Sequence, residues 1–352
     1  MQIDNRIAAP EPVLDQRERE YLAQLQKRYE RLCRPGVLAR AGKAVSRAVP
    51  APVRKLGKQA GEKLTEQKLF TQMLGVLNEG FRMLEETASR CAIPREDVIR
   101  RADRACAGNR IRDIEDICLA RGYEISGLVR AFRTRDMLLA FGEGTGTGAM
   151  GLWGLPFSLT ISLFLAYRAV QTVAMFYGYD VQKDAGELLL AGEVFTNALS
   201  PGAGKEDEMG GTISRFMAIA EGETLKHAVK KSYAEISSRG AAELLLQQLR
   251  ALAKRSAKTS LEEAGEKGVE KLAFRRIFEQ LGETISRKAA GRTVPLLSAA
   301  IGGVFDLAQM KAVVSYADVF YCKRFLLEKE ERVQRLLEQR EQAERENAFP
   351  AE

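Results

Sequence analysis

Apolar residues recur along this chain at the 3.6-residue spacing of helices. No stretch alternates in the manner of a strand, and no hairpin dipeptide sits between β-branched runs. The pattern predicts an all-α protein. Residues 14–32 form one amphipathic helix, with Leu14, Tyr21, Leu22, Leu25, Tyr29 and Leu32 on one stripe. Arg34-Pro35-Gly36 ends it. Further helical patterns cover 37–49, 64–90, 97–107, 111–121, 125–141 and 156–177. The series continues over 186–198, 212–239, 241–254 and 271–287. Pro295 opens an apolar helix that runs past Lys329, and a charged helix with a thin apolar stripe covers 328–346. Pro94 suits the first turn of the 97–107 helix, and Gly178 suits the position just past the end of the 156–177 helix.

One segment departs from this pattern. Between Glu143 and Arg168 lie 24 residues without a formal charge. Their first half is glycine-rich, with Gly144, Gly146, Gly148, Gly151 and Gly154, and Pro156 follows. A run of this length is either core or lipid-facing. Pro156 and the glycines argue against a simple spanning helix, which leaves a buried helix or an interfacial element. The expected architecture is a multi-helix bundle with two central apolar Gly/Ala-rich helices, at 156–177 and after Pro295.

Charge changes the picture at the N-terminal side. Residues 31–63 hold nine Lys/Arg against Glu62 alone, a net +8, so the rest of the chain carries −1 of the total +7. Arg40, Lys43 and Arg47 lie on the amphipathic 37–49 pattern, and Arg54, Lys55 and Lys58 extend the positive charge. A basic amphipathic helix fits an anionic membrane surface, where each basic residue contributes about 1 kcal/mol. It also fits a solvated face packed on its own domain. Nucleic acid is the less favoured partner, since no aromatic residue lies within the segment to stack on bases. The first residues lack the apolar run of a secretory signal, which predicts a cytoplasmic location. Cysteines at 33, 91, 106, 118 and 322 form no CxxC pair and read as buried thiols.

Candidate chemistry is sparse. Gly146-x-Gly148-x-x-Gly151 matches a dinucleotide fingerprint by letter, but no strand precedes it and no acid follows at the required distance. Close helix packing or a hinge explains these glycines better. His227 is the only histidine, which excludes a two-His metal site. No pattern points to a catalytic group, a metal or a cofactor. Arg168 could meet Asp306 if the two apolar helices pack, with Lys311 as a competitor for that acid. Asp180 sits at a helix end. The helices at 14–32 and 328–346 could pair antiparallel, or pair between subunits as an oligomer contact.

The order of these features resembles the EcsC protein family. The residues that carry the likeness are Gly144-Thr-Gly-Thr-Gly148, Gly154-Leu-Pro156, Arg168, Tyr177-Gly178-Tyr-Asp180, Pro295 with Gly302-Gly303, and Arg324-Phe-Leu326. The likeness covers about 64–327 and is most specific over 144–180. Ser158 stands where the family tends to carry an acid, and Asp306 where it tends to carry Asn. The resemblance implies a bacterial protein whose namesake is encoded beside an ABC transporter, and it implies no particular chemistry.

These readings divide the chain into 1–63, a charged helix plus basic segment; 64–327, an EcsC-like domain; and 328–352, a charged helix or tail. They point to a protein peripheral to the inner face of the membrane, touching it through 37–58 and 144–177, and serving a transporter or envelope process. The alternative is a soluble helical domain with an apolar pocket that binds or hydrolyses a lipid or peptide.

Overall fold

The computed structural model describes residues 9–33, 94–106, 108, 110–136, 155–199, 208–218, 246–251, 254, 258 and 307–348. Arg40, Lys43, Arg47, Arg54, Lys55, Lys58, Gly144, Gly146, Gly148 and Asp306 lie outside them. Among the described residues the secondary structure is helical throughout, as the periodicity predicts. The elements are α1 (Gln16–Cys33), α2 (Arg95–Ala105), a 3₁₀ turn (Glu115–Leu119), α3 (Gly122–Ala131) with a π-helical turn (Phe132–Asp136), α4 (Leu155–Phe176), α5 (Ala185–Leu199), α6 (Glu208–Ala218) and α7 (Leu307–Ala348).

The long helix α7 is the axis. It packs against α4, α1, α5, α3 and the 3₁₀ turn. From Val313 to Leu326 all of its residues but the half-buried Ser315 are buried. Such a helix shows no polar face, because neighbours cover it all round. Its apolar part and its charged end form one continuous helix, so the charged terminal segment expected over 328–346 falls in its second half and is not a separate element. That half is also packed. Val333 and Leu336 are buried against Cys118 and Leu119, and only from Glu341 to Arg345 is it exposed on every side.

α4 is the second central helix, and it lies against α7 as expected. Phe164, Ala166, Tyr167 and all residues from Ala169 to Tyr177 are buried, with α7 and α5 as the main neighbours. The 164–177 part of the expected lipid-contacting element is therefore protein core, because apolar helices sheathe it. Tyr167 is pinned through its hydroxyl, which donates to the Leu188 carbonyl (3.1 Å).

α4 stops where the sequence predicts. Gly178 has φ +79°, a left-handed conformation that costs a residue with a Cβ about 1–2 kcal/mol. The Tyr179 N–H reaches the Ala174 carbonyl (3.0 Å) and the Gly178 N–H reaches that of Met175 (2.9 Å), a Schellman closure of the helix end. Asp180 then folds the chain back. Its carboxylate accepts the N–H groups of Gln182 (3.0 Å) and Lys183 (3.2 Å). Asp184 caps α5 by accepting the Gly186 N–H (2.7 Å).

The structure revises two helix expectations. Residues 111–121 hold only the 3₁₀ turn. The Asp116 carboxylate accepts the N–H groups of Arg112 (2.9 Å) and Asp113 (3.1 Å), and such side-chain bonds compete with the helical ladder. Pro94 is the residue before α2, extended at φ −57°, ψ 146°, and not in its first turn.

Gly178→Ala tests the α4 end. An added Cβ would stand 2.5 Å from the Arg332 guanidinium and 3.0 Å from the Ile114 carbonyl. With the backbone strain, the expected loss in denaturant unfolding is about 2 kcal/mol or more.

Candidate functional site

The notable chemistry of the described structure is a seam of buried charges along α7. Lys323, Arg324, Glu328 and Lys329 are at most 3% exposed. A charge at such depth is tolerated only with a partner. Neighbouring elements supply most of these partners, as α6 does for Lys323 through the Met217 carbonyl (3.1 Å).

From α1 comes Glu18, itself 0% exposed. Lys329 donates to its Oε1 (2.6 Å), and so does the Gly122 N–H (2.8 Å). Its Oε2 accepts from Arg121 (3.1 Å) and from the Asp15 N–H (3.2 Å). One carboxylate thus ties α1, α7 and the start of α3. Burial pulls the Lys329 ammonium below its usual pKa, with Arg121 adding to the effect and Glu18 opposing it.

A second knot lies further along the same two helices. The Arg28 guanidinium donates to Asp318 Oδ2 (2.5 Å) and to the Tyr21 hydroxyl (2.9 Å). Tyr21 also shares a hydrogen bond with Ser126 (2.7 Å). The Tyr177 hydroxyl donates to Asp318 Oδ1 (2.7 Å). Burial and the Asp318 charge raise the Tyr177 pKa well above the usual range.

A third knot joins α5 and the α4–α5 loop. Arg324 grips Glu187 with both terminal nitrogens (2.7 and 2.8 Å) and reaches Glu328 through Nε (3.1 Å). Arg250 adds a contact to Glu328 (3.1 Å). The Tyr179 ring is flanked by the Arg324 and Arg332 guanidinium carbons at 4.0 and 4.4 Å from its centroid. Arg332 donates to the carbonyls of Tyr177 (3.0 Å) and Gly178 (2.7 Å), the free acceptors at the end of α4. Burial opposes ionisation of Glu328, but Arg324, Arg250 and Arg332 outweigh it and hold its pKa below the usual value.

Among the sequence candidates, Tyr177, Gly178 and Asp180 come together at this place. Asp180 accepts from Arg95 Nε (2.8 Å), and Arg95 also pairs with Asp113, so α2 is bound to the α4 end. Pro156 falls in the first turn of α4. Arg168 stands apart, half-buried in mid-α4; its guanidinium donates to Gln171 (3.0 Å) and lies over the Phe164 ring (5.1 Å). Its expected partner Asp306 is outside the described residues.

Sequence reasoning missed Glu18, Arg28, Glu187, Lys329 and Arg332. A signal existed for Glu18, which interrupts the apolar stripe of α1 between Leu14 and Leu22. A charge in a buried stripe implies a partner, but not which one.

The seam binds helices together more readily than it does chemistry. Its carboxylates are occupied by cations or backbone donors. Burial pushes the Cys106 thiol up to about 12, and it raises Cys322 and Cys118 too, which leaves little nucleophilic thiolate near neutral pH. Among the described residues no group of three or more His, Cys, Asp or Glu is placed to hold a metal ion.

Among the described residues the chain is an all-helical module with Tyr177, Gly178 and Asp180 gathered at the end of α4. The model of the EcsC protein family matches residues 16–326, and the chain belongs to that family. The match starts at residue 16, well before the 64 at which the resemblance began, and so takes in α1; its Glu18 and Arg28 are part of the seam. No curated protein and no solved structure matches the chain.

Lys329→Met leaves Glu18 buried without its ammonium partner and should cost about 3 kcal/mol or more. Glu18→Gln with Lys329→Met keeps an acceptor for the Gly122 N–H, so the double variant should be more stable than Lys329→Met alone. Equilibrium denaturation of the cycle checks this. For pH, a carboxylate with a lowered folded pKa stabilises above its ordinary value, 4.5 for Glu328, and loses that contribution as pH falls through the folded pKa. Stability should therefore drop on acidification below about pH 4.5, with a shallower slope in Glu328→Gln, as read by denaturation against pH.

Proposed function

We propose that this EcsC-family protein acts at the cytoplasmic face of a bacterial membrane as a peripheral, non-enzymatic helical protein, in the service of a transporter or another envelope process. The observation that carries the proposal is the concentration of charge: net +8 within residues 31–63 against −1 elsewhere. Six of those residues, Arg40, Lys43, Arg47, Arg54, Lys55 and Lys58, would supply up to about 6 kcal/mol at an anionic surface.

Two structural facts bear on how contact is made. Among the described residues no helix is long and apolar enough to cross a membrane. The 164–177 stretch is covered by protein, so the basic segment is the better contact than the end of α4. A rigid core of paired charges suits a protein that positions a partner at the membrane.

Vesicle flotation tests the proposal. The protein should float with phosphatidylserine-containing vesicles and not with zwitterionic ones, and added salt should weaken the binding. Changing the six residues to Gln should remove most of it. A protein that stays at the bottom of the gradient with anionic vesicles would overturn the reading.

A further inference from the structure

The way α1 is held supports a conformational step, and this inference rests on the membrane reading above. α1 runs antiparallel to α7, since Glu18 meets Lys329 and Arg28 meets Asp318. Between those two fastenings Leu22 and Leu25, and just past the second Tyr29, turn their apolar stripe inward. The opposite face exposes Arg17, Arg19, Lys27 and Arg31, with Glu20 and Glu30 between them. In its own pattern α1 is thus a basic amphipathic helix, the kind that lies on anionic lipid. Its apolar side is occupied mainly by α7, with α6 and α3 adding smaller contacts.

The two fastenings differ. At the Glu18 end the carboxylate is fully buried and takes four donors. At the other end the Arg28 side chain keeps 25% exposure, and beneath it the interface is less well satisfied. The Tyr316 hydroxyl is buried without a hydrogen-bond partner, under the ring of Tyr29 at 6.0 Å. A buried, unpaired hydroxyl costs about 1–3 kcal/mol, and lifting this end of α1 would relieve it. This is also the end that leads into the basic segment, which begins at Arg31.

We propose that α1 is a latch: contact with an anionic membrane lifts its Arg28 end from α7, and the freed stripe joins the lipid interface. In the lifted state Arg28 exchanges the Asp318 carboxylate for lipid phosphate, while Glu18 keeps the other end on the core. Lipid favours this state because it offers new contacts to Leu25, Tyr29 and Arg28 that the docked state withholds. The lifted helix uncovers the surface of α7 around Asp318 and Cys322.

The chain carries its own reporter of this motion. The antiparallel register places Cys322 opposite Leu25, and both are 0% exposed. Cys106 and Cys118 are buried elsewhere, at the end of α2 and in the 3₁₀ turn, and serve as controls. The test is thiol labelling of the full chain with a maleimide, read per cysteine by peptide mass spectrometry, with anionic vesicles, with zwitterionic vesicles and without lipid. Anionic vesicles should raise the Cys322 labelling rate about tenfold, one decade being about 1.4 kcal/mol of latch opening, with Cys106 and Cys118 unchanged. Asp318→Asn, which keeps Arg28 but removes its docked partner, should raise Cys322 labelling without lipid and tighten vesicle binding several-fold.

Cys322 remaining unreactive while the protein is vesicle-bound would overturn the latch and leave the membrane reading standing. So would all three thiols rising together, which reports unfolding, or Asp318→Asn losing stability with no gain in binding. Failure to bind anionic vesicles at all would overturn both.

Discussion

The cost of burying charge on α7 organises this molecule. A helix that runs through the middle of a helical core is expected to be apolar. This one carries Lys323, Arg324, Glu328 and Lys329 at nearly full burial. Each would be strongly destabilising alone, since removing a charge from water without a partner costs several kcal/mol. The neighbours therefore have to arrive in register. α1 must place Glu18 at Lys329, and α5 must place Glu187 at Arg324. The end of α4 must present its carbonyls to Arg332. Apolar contact alone tolerates sliding; these pairs do not.

The same pairs link distant parts of the chain. The Glu18 carboxylate fastens residues 18, 121, 122 and 329 at one point. Asp180 holds its own turn and anchors Arg95 at the start of α2. Arg340 reaches Asp116 and so fixes the last third of α7 against the 3₁₀ turn. Residues far apart in sequence become one unit, and Tyr177, Gly178 and Asp180 lie at the junction of that unit. These three residues end α4 abruptly and present a hydroxyl, two carbonyls and a carboxylate to α7 and α2.

A core fixed in this way gives a functional reading its shape. Among the described residues its buried acids and bases are paired across helices. The Arg28 end of α1 keeps partial exposure. That end combines a partly exposed ion pair with an unsatisfied hydroxyl beneath it, so it is the natural place for an external charge to act on the fold.

Helical periodicity, the Gly178 stop, the stripe on α1 and the packing of α4 with α7 were legible in the sequence, because each follows from local spacing and local backbone preference. The membership in the EcsC family was legible through motif order. The 3₁₀ turn at 115–119 was not, because an Asp side chain competing for backbone N–H groups reads like any other acid on a helix. The role of α1 was not either, and a basic stretch following it made it look like an appendage. Composition and pattern determined that this chain is a helical protein with its positive charge gathered in one place. Only the tertiary structure decided which charge meets which, because an ion pair between residues 18 and 329 depends on distances that no local pattern encodes.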